Sequence, residues 1–111
     1  MAIENAQLTT TQLDILTVPA GKSYAITTVM VCNTNTIDAA SFDMHLIKDG
    51  QALSNIETMI VKELDMPAKE TYTFDSEKII LSEGDKISFV AEPDIGATLT
   101  NLVATVSYLE V

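Results

Sequence analysis

Several residue types that commonly carry chemistry are missing or rare in this chain of 111 residues. It has no tryptophan and no arginine, one cysteine, one histidine and four glycines. Without arginine, the chain lacks the side chain best suited to grip phosphates and base edges. Four glycines are too few to predict a loop that wraps a phosphate group. Three tyrosines and three phenylalanines supply little of the aromatic cleft expected around the carboxylates of a sugar-cleaving enzyme.

The rare reactive residues do not form a recognisable catalytic or metal motif. Cys32 has no partner for an intramolecular disulfide and ends the apolar run Val29–Cys32, which favours a small buried role. His45 is predicted on the outward face of a strand beside Asp43, without an accompanying nucleophile motif. The acidic loops lack the ligand spacing of a calcium-binding loop. They are Asp75–Glu77, Glu83–Asp85 and Glu92–Asp94. We therefore predict a protein that is not an enzyme and uses no cofactor.

The charge balance excludes further classes of partner. Sixteen acidic residues against six lysines give a net charge of −10 at pH 7. Such a surface repels nucleic-acid backbones and anionic lipids, so we predict neither a nucleic-acid nor a membrane partner. No apolar run approaches the roughly 20 residues of a membrane helix, and no secretory leader is recognisable. The chain is expected to be soluble in the compartment where it is made.

Apolar residues recur at every second position through most of the chain, which is typical of antiparallel strands. The stretch from Tyr72 to Ala91 has this pattern on both sides of a corner at Ser82–Asp85. Turn signals recur at roughly 8–12-residue intervals, and about eight strands follow from them. The sequence therefore predicts an all-β fold, a single-domain antiparallel β-sandwich of jelly-roll type. Residues 1–6 are predicted as an N-terminal arm and residues 7–111 as the sandwich.

Two segments do not fit simple alternation. Gln51–Glu57 is predicted either as a short strand with a helical turn or as an excursion that folds over a sheet edge. In Thr58–Met66, Lys62 interrupts an inner set formed by Ile60, Leu64 and Met66. The interruption leaves either a changed register or a bulge at this point.

Two long strands are uncharged on both of their faces, which suggests a surface for assembly. In Ser23–Asn33, alternation assigns Tyr24 and every second residue after it to one face. The odd-numbered residues fall on the other face. The closing strand divides in the same way. We predict an assembly interface on the second faces of these strands, formed by Val29, Val31, Val103, Thr105 and Leu109. The alternative is that these residues lie in a core covered on both sides.

The order of the strand and turn segments resembles a known family. The segments are TVPAGKSYAITTVMVCNT, SFDMHLIKDG, MPAKETYTF, LSEGDKISFVAE and the closing ATVSYLEV. Together they resemble the small β-sandwich virion structural proteins of tailed bacteriophages, especially marine and cyanobacterial ones. The resemblance extends from about Gln7 to Val111. It implies no active site.

The resemblance implies a place on the outer surface of the head or tail of a virion made in the host cytoplasm. The favoured role is a capsid decoration (cement) protein that stabilises the head as a homo-oligomer. Its partners would be the major capsid protein or tail proteins. A small tail, collar or fibre component that binds a receptor or glycan is the alternative. A bacterial surface or matrix module is a third. Exposed aromatic residues would favour the glycan-binding role, whereas Tyr72 and Phe74 are predicted to be buried.

Overall fold

The computed structural model describes residues 2–92 and 101–111, without the side chains of residues 75–78. The predicted loop at Glu92–Gly96 and the start of the last strand at Leu99 fall mostly outside this range. The described residues form eight strands and no helix. The strands are β1 (Ala2–Gln7), β2 (Leu13–Thr17), β3 (Ser23–Asn33), β4 (Ala40–Ile47), β5 (Met59–Met66), β6 (Thr71–Ser82), β7 (Lys86–Glu92) and β8 (Leu102–Glu110).

The strands form two antiparallel sheets of four. The first sheet has the order β1-β8-β3-β6 and the second the order β2-β7-β4-β5. The first strand in the chain pairs with the last, the second with the second-to-last, and so on inward. These pairs are β1 with β8, β2 with β7, β3 with β6 and β4 with β5. The chain is therefore one long hairpin folded across itself, which is the arrangement of a jelly roll. The predicted all-β sandwich is confirmed.

The core lies between the two sheets and is built mainly from aliphatic side chains. Phe42 and Phe89 are fully buried at its centre, with ring centroids 5.9 Å apart. Phe74 of the first sheet meets Phe42 of the second edge to face at 6.3 Å. Burial of these rings and of the surrounding Ile, Val, Leu and Met side chains is the main favourable term for the fold.

A bulge in β3 determines which of its residues face the core. The pairing of β3 with both neighbours shifts register between Ile26 and Thr28. Because one residue is inserted there, the inward positions change from even to odd numbers. Tyr24 and Ile26 are buried before the bulge. Val29 and Val31 are buried after it, and neither valine has any exposed surface. The assignment of Val29 and Val31 to an outer assembly face is therefore wrong.

The N-terminal residues belong to the first sheet. Residues 1–6 are predicted as an arm, whereas Ala2–Gln7 pair with β8 from Ala2 opposite Tyr108 to Gln7 opposite Val103. Most side chains of β1 are exposed. The strand is held through its backbone rather than through apolar side chains, so hydrophobic alternation gives no sign of it.

The two irregular segments are resolved by a turn and a bulge. Residues 51–58 contain no strand and form turns before β5 begins at Met59. Within β5, Glu63 has a φ of 46°, and the pairing with β4 shifts register nearby. The Glu63 N–H donates to Oδ1 of Asp43 at 2.6 Å. This bulge turns Val61 and Leu64 toward the core and leaves Ile60 49% exposed, so Ile60 is not part of the inner set.

Candidate assembly face

The outer side of the first sheet is a broad surface of mostly uncharged residues, which we call the neutral face. Strand pairing places its members in rows across the four strands. The central row runs from Asn5 through Thr105 and Met30 to Thr73. The remaining described members are Ile3, Gln7, Ala25, Thr28, Cys32, Thr71, Ile80, Val103, Ser107 and Leu109. Thr27, the residue inserted by the bulge, contributes a hydroxyl that hydrogen-bonds the Ser107 hydroxyl at 2.6 Å.

The neutral face contrasts with the charge of the whole chain. Among the side chains that the structure describes on this face, none is charged, although the protein carries 22 acidic and basic residues. Strand pairing also puts one acidic residue, Asp75, opposite Thr28 at the β6 edge of the face. Glu4 and Glu110 alternate to the other side of their strands, opposite Val106 and Tyr24. Glu110 pairs with Lys22 at 3.4 Å at one end of the sheet. The acidic groups are therefore concentrated elsewhere on the molecule.

Large apolar side chains are exposed on the neutral face. Ile80 is 65% exposed, Ile3 61%, Leu109 40% and Met30 38%. A contiguous surface that combines such side chains with threonine and serine is the type found at protein interfaces rather than on a solvated sheet, where charged residues are usual. The molecule measures 43 × 27 × 18 Å along its principal axes, so a two-layer sandwich of this shape presents broad faces.

Three of the five predicted interface residues lie on the neutral face: Val103, Thr105 and Leu109. Their parity is uninterrupted because β8 pairs with β1 without a bulge. Val29 and Val31 lie in the core, and their places on the face are taken by Met30 and Cys32. Cys32 is a half-buried free thiol on this surface rather than a core residue. The sequence offers one sign of the bulge that moves Val29 and Val31 into the core. Thr27 and Thr28 suit either side of a sheet, so the alternation is ambiguous at this pair.

His45 lies on the outer side of the second sheet, as predicted, but it is buried there rather than exposed. It has no exposed surface, and its Nδ1 lies 2.8 Å from Oγ1 of Thr58. The main chain of Thr58 also accepts a hydrogen bond from the Leu46 N–H at 3.0 Å. Thr58, at the end of the turn segment of residues 51–58, therefore lies beside β4 and contacts the imidazole.

The hydrogen bonds around Thr58 define the tautomer of His45. The Thr58 hydroxyl donates its single hydrogen to the Ser54 carbonyl at 2.8 Å, so Nδ1 of His45 carries the proton and donates to Thr58. Nε2 is then a buried nitrogen without a hydrogen-bond partner among the described residues. Burial lowers the pKa of His45, and the nearby Asp43 carboxylate partly offsets this effect.

Ser88 and Asp14 continue the polar row beside His45 without forming a catalytic triad. Ser88, on β7, is opposite His45 of β4 on one side and opposite Asp14 of β2 on the other. Its hydroxyl donates to Oδ1 of Asp14 rather than to the imidazole. Burial alone would raise the pKa of Asp14, but hydrogen bonds from Ser88 and Gln12 and the charge of Lys86 lower it overall. The serine hydroxyl is therefore not bonded to the imidazole, as a Ser-His-Asp triad requires.

One aromatic pair lies at the β6 edge. Tyr72 and Phe74 have ring centroids 4.7 Å apart. Phe74 packs against the core, as predicted, but Tyr72 is 45% exposed, which contradicts the expectation that it is buried. A single exposed ring backed by a second ring is a small stacking surface.

Comparison with known proteins returns no match among protein-family models, curated proteins or solved structures. Within residues 2–92 and 101–111, no cluster of three or more metal-ligating side chains occurs. The same residues contain no helix long and apolar enough to cross a membrane. The residues of the neutral face are therefore the main guide to function.

Proposed function

We propose that this protein is a non-enzymatic structural subunit that acts by assembly, and that the neutral face is its binding surface. The observation that carries the proposal is the absence of charge from the described side chains of this face in a chain of net charge −10. Exposed Ile80, Ile3, Leu109 and Met30 supply apolar area for a partner to cover. His45, Ser88 and Asp14 are not connected as a Ser-His-Asp triad, because the Ser88 hydroxyl bonds Asp14 rather than the imidazole.

Within this function, we favour a capsid decoration protein on the outer surface of a tailed-phage head. The resemblance of the turn and strand segments to small virion proteins supports this role. A charge of −10 favours the outer surface, because packaged DNA would repel the subunit from the inner one. Jelly rolls are frequent in viral capsid proteins, but they also occur in lectins and enzymes, so the fold adds only an analogy. The partner would be the major capsid protein.

Quantitative mass spectrometry of purified phage particles tests the role. A copy number comparable with that of the major capsid protein is expected for a decoration protein. A copy number far below it would instead indicate a tail, collar or fibre component. Absence from purified particles would refute a virion role and favour a bacterial surface or matrix module.

Tyr72 supports a second candidate function, a tail or fibre component that binds a glycan. Its exposed ring beside Phe74 could stack on the apolar side of a sugar. A glycan array probed with the protein and with Tyr72→Ala tests this candidate. Binding that is lost in Tyr72→Ala and retained in the control Thr73→Ala, one residue away on the neutral face, would support it. Absence of binding by the unmodified protein would exclude it for the glycans on the array.

A further inference from the structure

The composition of the neutral face indicates what covers it. We propose that its occupant is a second copy of this chain, which packs its own neutral face against the first in a two-fold symmetric dimer. The inference rests on the proposed function in one respect, because both use the neutral face as the binding surface. The proposed function gives the major capsid protein as the partner of the subunit, and the inference adds that a second copy covers the neutral face itself.

Charge favours a second copy over a different protein. Two copies with a charge of −10 each repel one another, and the repulsion is smallest when uncharged surfaces meet. A basic partner would instead gain most by binding the acidic surfaces outside the neutral face. A surface with so little charge on an otherwise acidic molecule therefore suits a partner that is equally acidic.

Symmetry imposes a second requirement that the neutral face meets. In a two-fold interface, residues near the axis contact their own copies, so any charge there would face an identical charge. The central row consists of Asn5, Thr105, Met30 and Thr73. Asparagine and threonine can each donate and accept a hydrogen bond, so each can pair with its own copy. The flexible methionine side chain can adapt to an identical neighbour.

The size of the face predicts the strength of the dimer. Four strands about 4.8 Å apart, each about seven residues or roughly 23 Å long, give a flat area of roughly 450 Å² per copy. Side-chain relief raises the accessible area to about 600 Å², somewhat below the roughly 800 Å² per partner of a standard interface. We therefore expect a dissociation constant in the micromolar range, on the order of 1–100 μM.

Sedimentation equilibrium at chain concentrations from about 1 to 300 μM tests the inference across that range. The mass of the unmodified protein is expected to rise from 12.0 kDa toward twice that value. Thr105→Glu places two like charges near the axis and is expected to weaken association at least tenfold. Ile60→Glu adds the same charge at an exposed strand position of the second sheet and should leave association within about threefold of the unmodified protein.

Salt provides a readout that an ion-paired interface would not share. Raising the ionic strength from about 0.05 to 0.5 M screens the repulsion between the two acidic subunits, so association should become stronger. An interface held by salt bridges would weaken under the same change. Met30→Glu serves as a second test variant if Thr105→Glu does not fold, as judged by its thermal unfolding.

A mass of 12.0 kDa at every concentration and salt level would overturn the inference. Equal loss of association in Thr105→Glu and Ile60→Glu would also overturn it, because the interface would then not be the neutral face. Particle composition separates this result from the proposed function. A monomeric protein found in particles refutes the dimer and leaves the virion role intact. A dimer that is absent from particles supports the inference and refutes the virion role.

Discussion

Met30 and Val31 are neighbours in β3 but lie on opposite sides of the first sheet, so truncating each to alanine measures the effect of the bulge at Thr27. Val31 has no exposed surface, whereas Met30 is 38% exposed on the neutral face. Without the bulge, the alternation that begins at Tyr24 would exchange the two positions. A strand with the bulge therefore predicts a larger loss of stability for Val31→Ala than for Met30→Ala. A strand without the bulge predicts the reverse.

The expected magnitudes follow from burial. Val31→Ala removes two methyl groups from the core, each worth about 0.8 kcal/mol of transfer free energy. Incomplete collapse of the resulting cavity brings the loss of unfolding free energy to about 2–3 kcal/mol. For a chain of 111 residues, about 1 kcal/mol corresponds to roughly 4 °C in Tm, so Val31→Ala should lower Tm by about 10 °C. Met30→Ala should cost less than about 1 kcal/mol.

Thermal and urea unfolding at about 1 μM chain measures these losses, because a dimer of micromolar affinity contributes little at that concentration. Equal urea m-values for the two variants would show that both unfold from similarly compact native states. A larger loss in Met30→Ala than in Val31→Ala would refute the bulge and the neutral face that depends on it.

Three further predictions concern other parts of the fold. Gly84→Ala should destabilise by more than about 2 kcal/mol in urea unfolding, because the added Cβ would overlap the Asp49 side chain at a φ of 82°; Gly21→Ala, at a φ of 78° but with open space around it, should cost only about 1–2 kcal/mol. Asn33→Asp should cost about 2–4 kcal/mol in the same assay, because it removes the donor to the Met66 carbonyl and buries a charge; an unchanged midpoint would contradict this role. Since folded His45 has a lowered pKa, its contribution to stability is complete above its ordinary pKa of 6.5 and is lost as pH falls from there through the lowered value. The free energy of unfolding of the unmodified protein should therefore fall more steeply with decreasing pH across this range than that of His45→Gln. Equal slopes would refute the prediction.

Period-two alternation identifies strands well because it follows directly from the pleat of the backbone. It correctly assigns the two faces of β8, where Val103, Thr105 and Leu109 lie outward. It fails in β3 because a single inserted residue reverses the parity of everything that follows. Thr27 and Thr28 have similar side chains that suit either side of a sheet, so the residue types do not indicate which one is extra.

Contacts between distant segments account for the other differences. His45 contacts Thr58 at the end of residues 51–58, a segment without any periodic pattern that would predict where it folds. The β1 strand is attached through hydrogen bonds to β8, which is about 100 residues away in the sequence. Because the side chains of β1 are largely exposed, they show no apolar pattern that would predict this pairing. Sequence periodicity indicates which side of a strand faces the core, whereas these features depend on where a distant segment of the chain lies.

The pairing of β1 with β8 also determines when the fold can be completed. Because Ala2 lies opposite Tyr108, the first sheet stays unfinished until the residues of β8 have left the ribosome. Closing contacts between such distant segments is slow, and β3 has an open edge toward β8 throughout this delay. An uncharged strand with a free edge is prone to pair with the same strand of another nascent chain. The surplus of carboxylates elsewhere in the chain would then keep growing chains apart on the polysome, before any subunit exists to assemble.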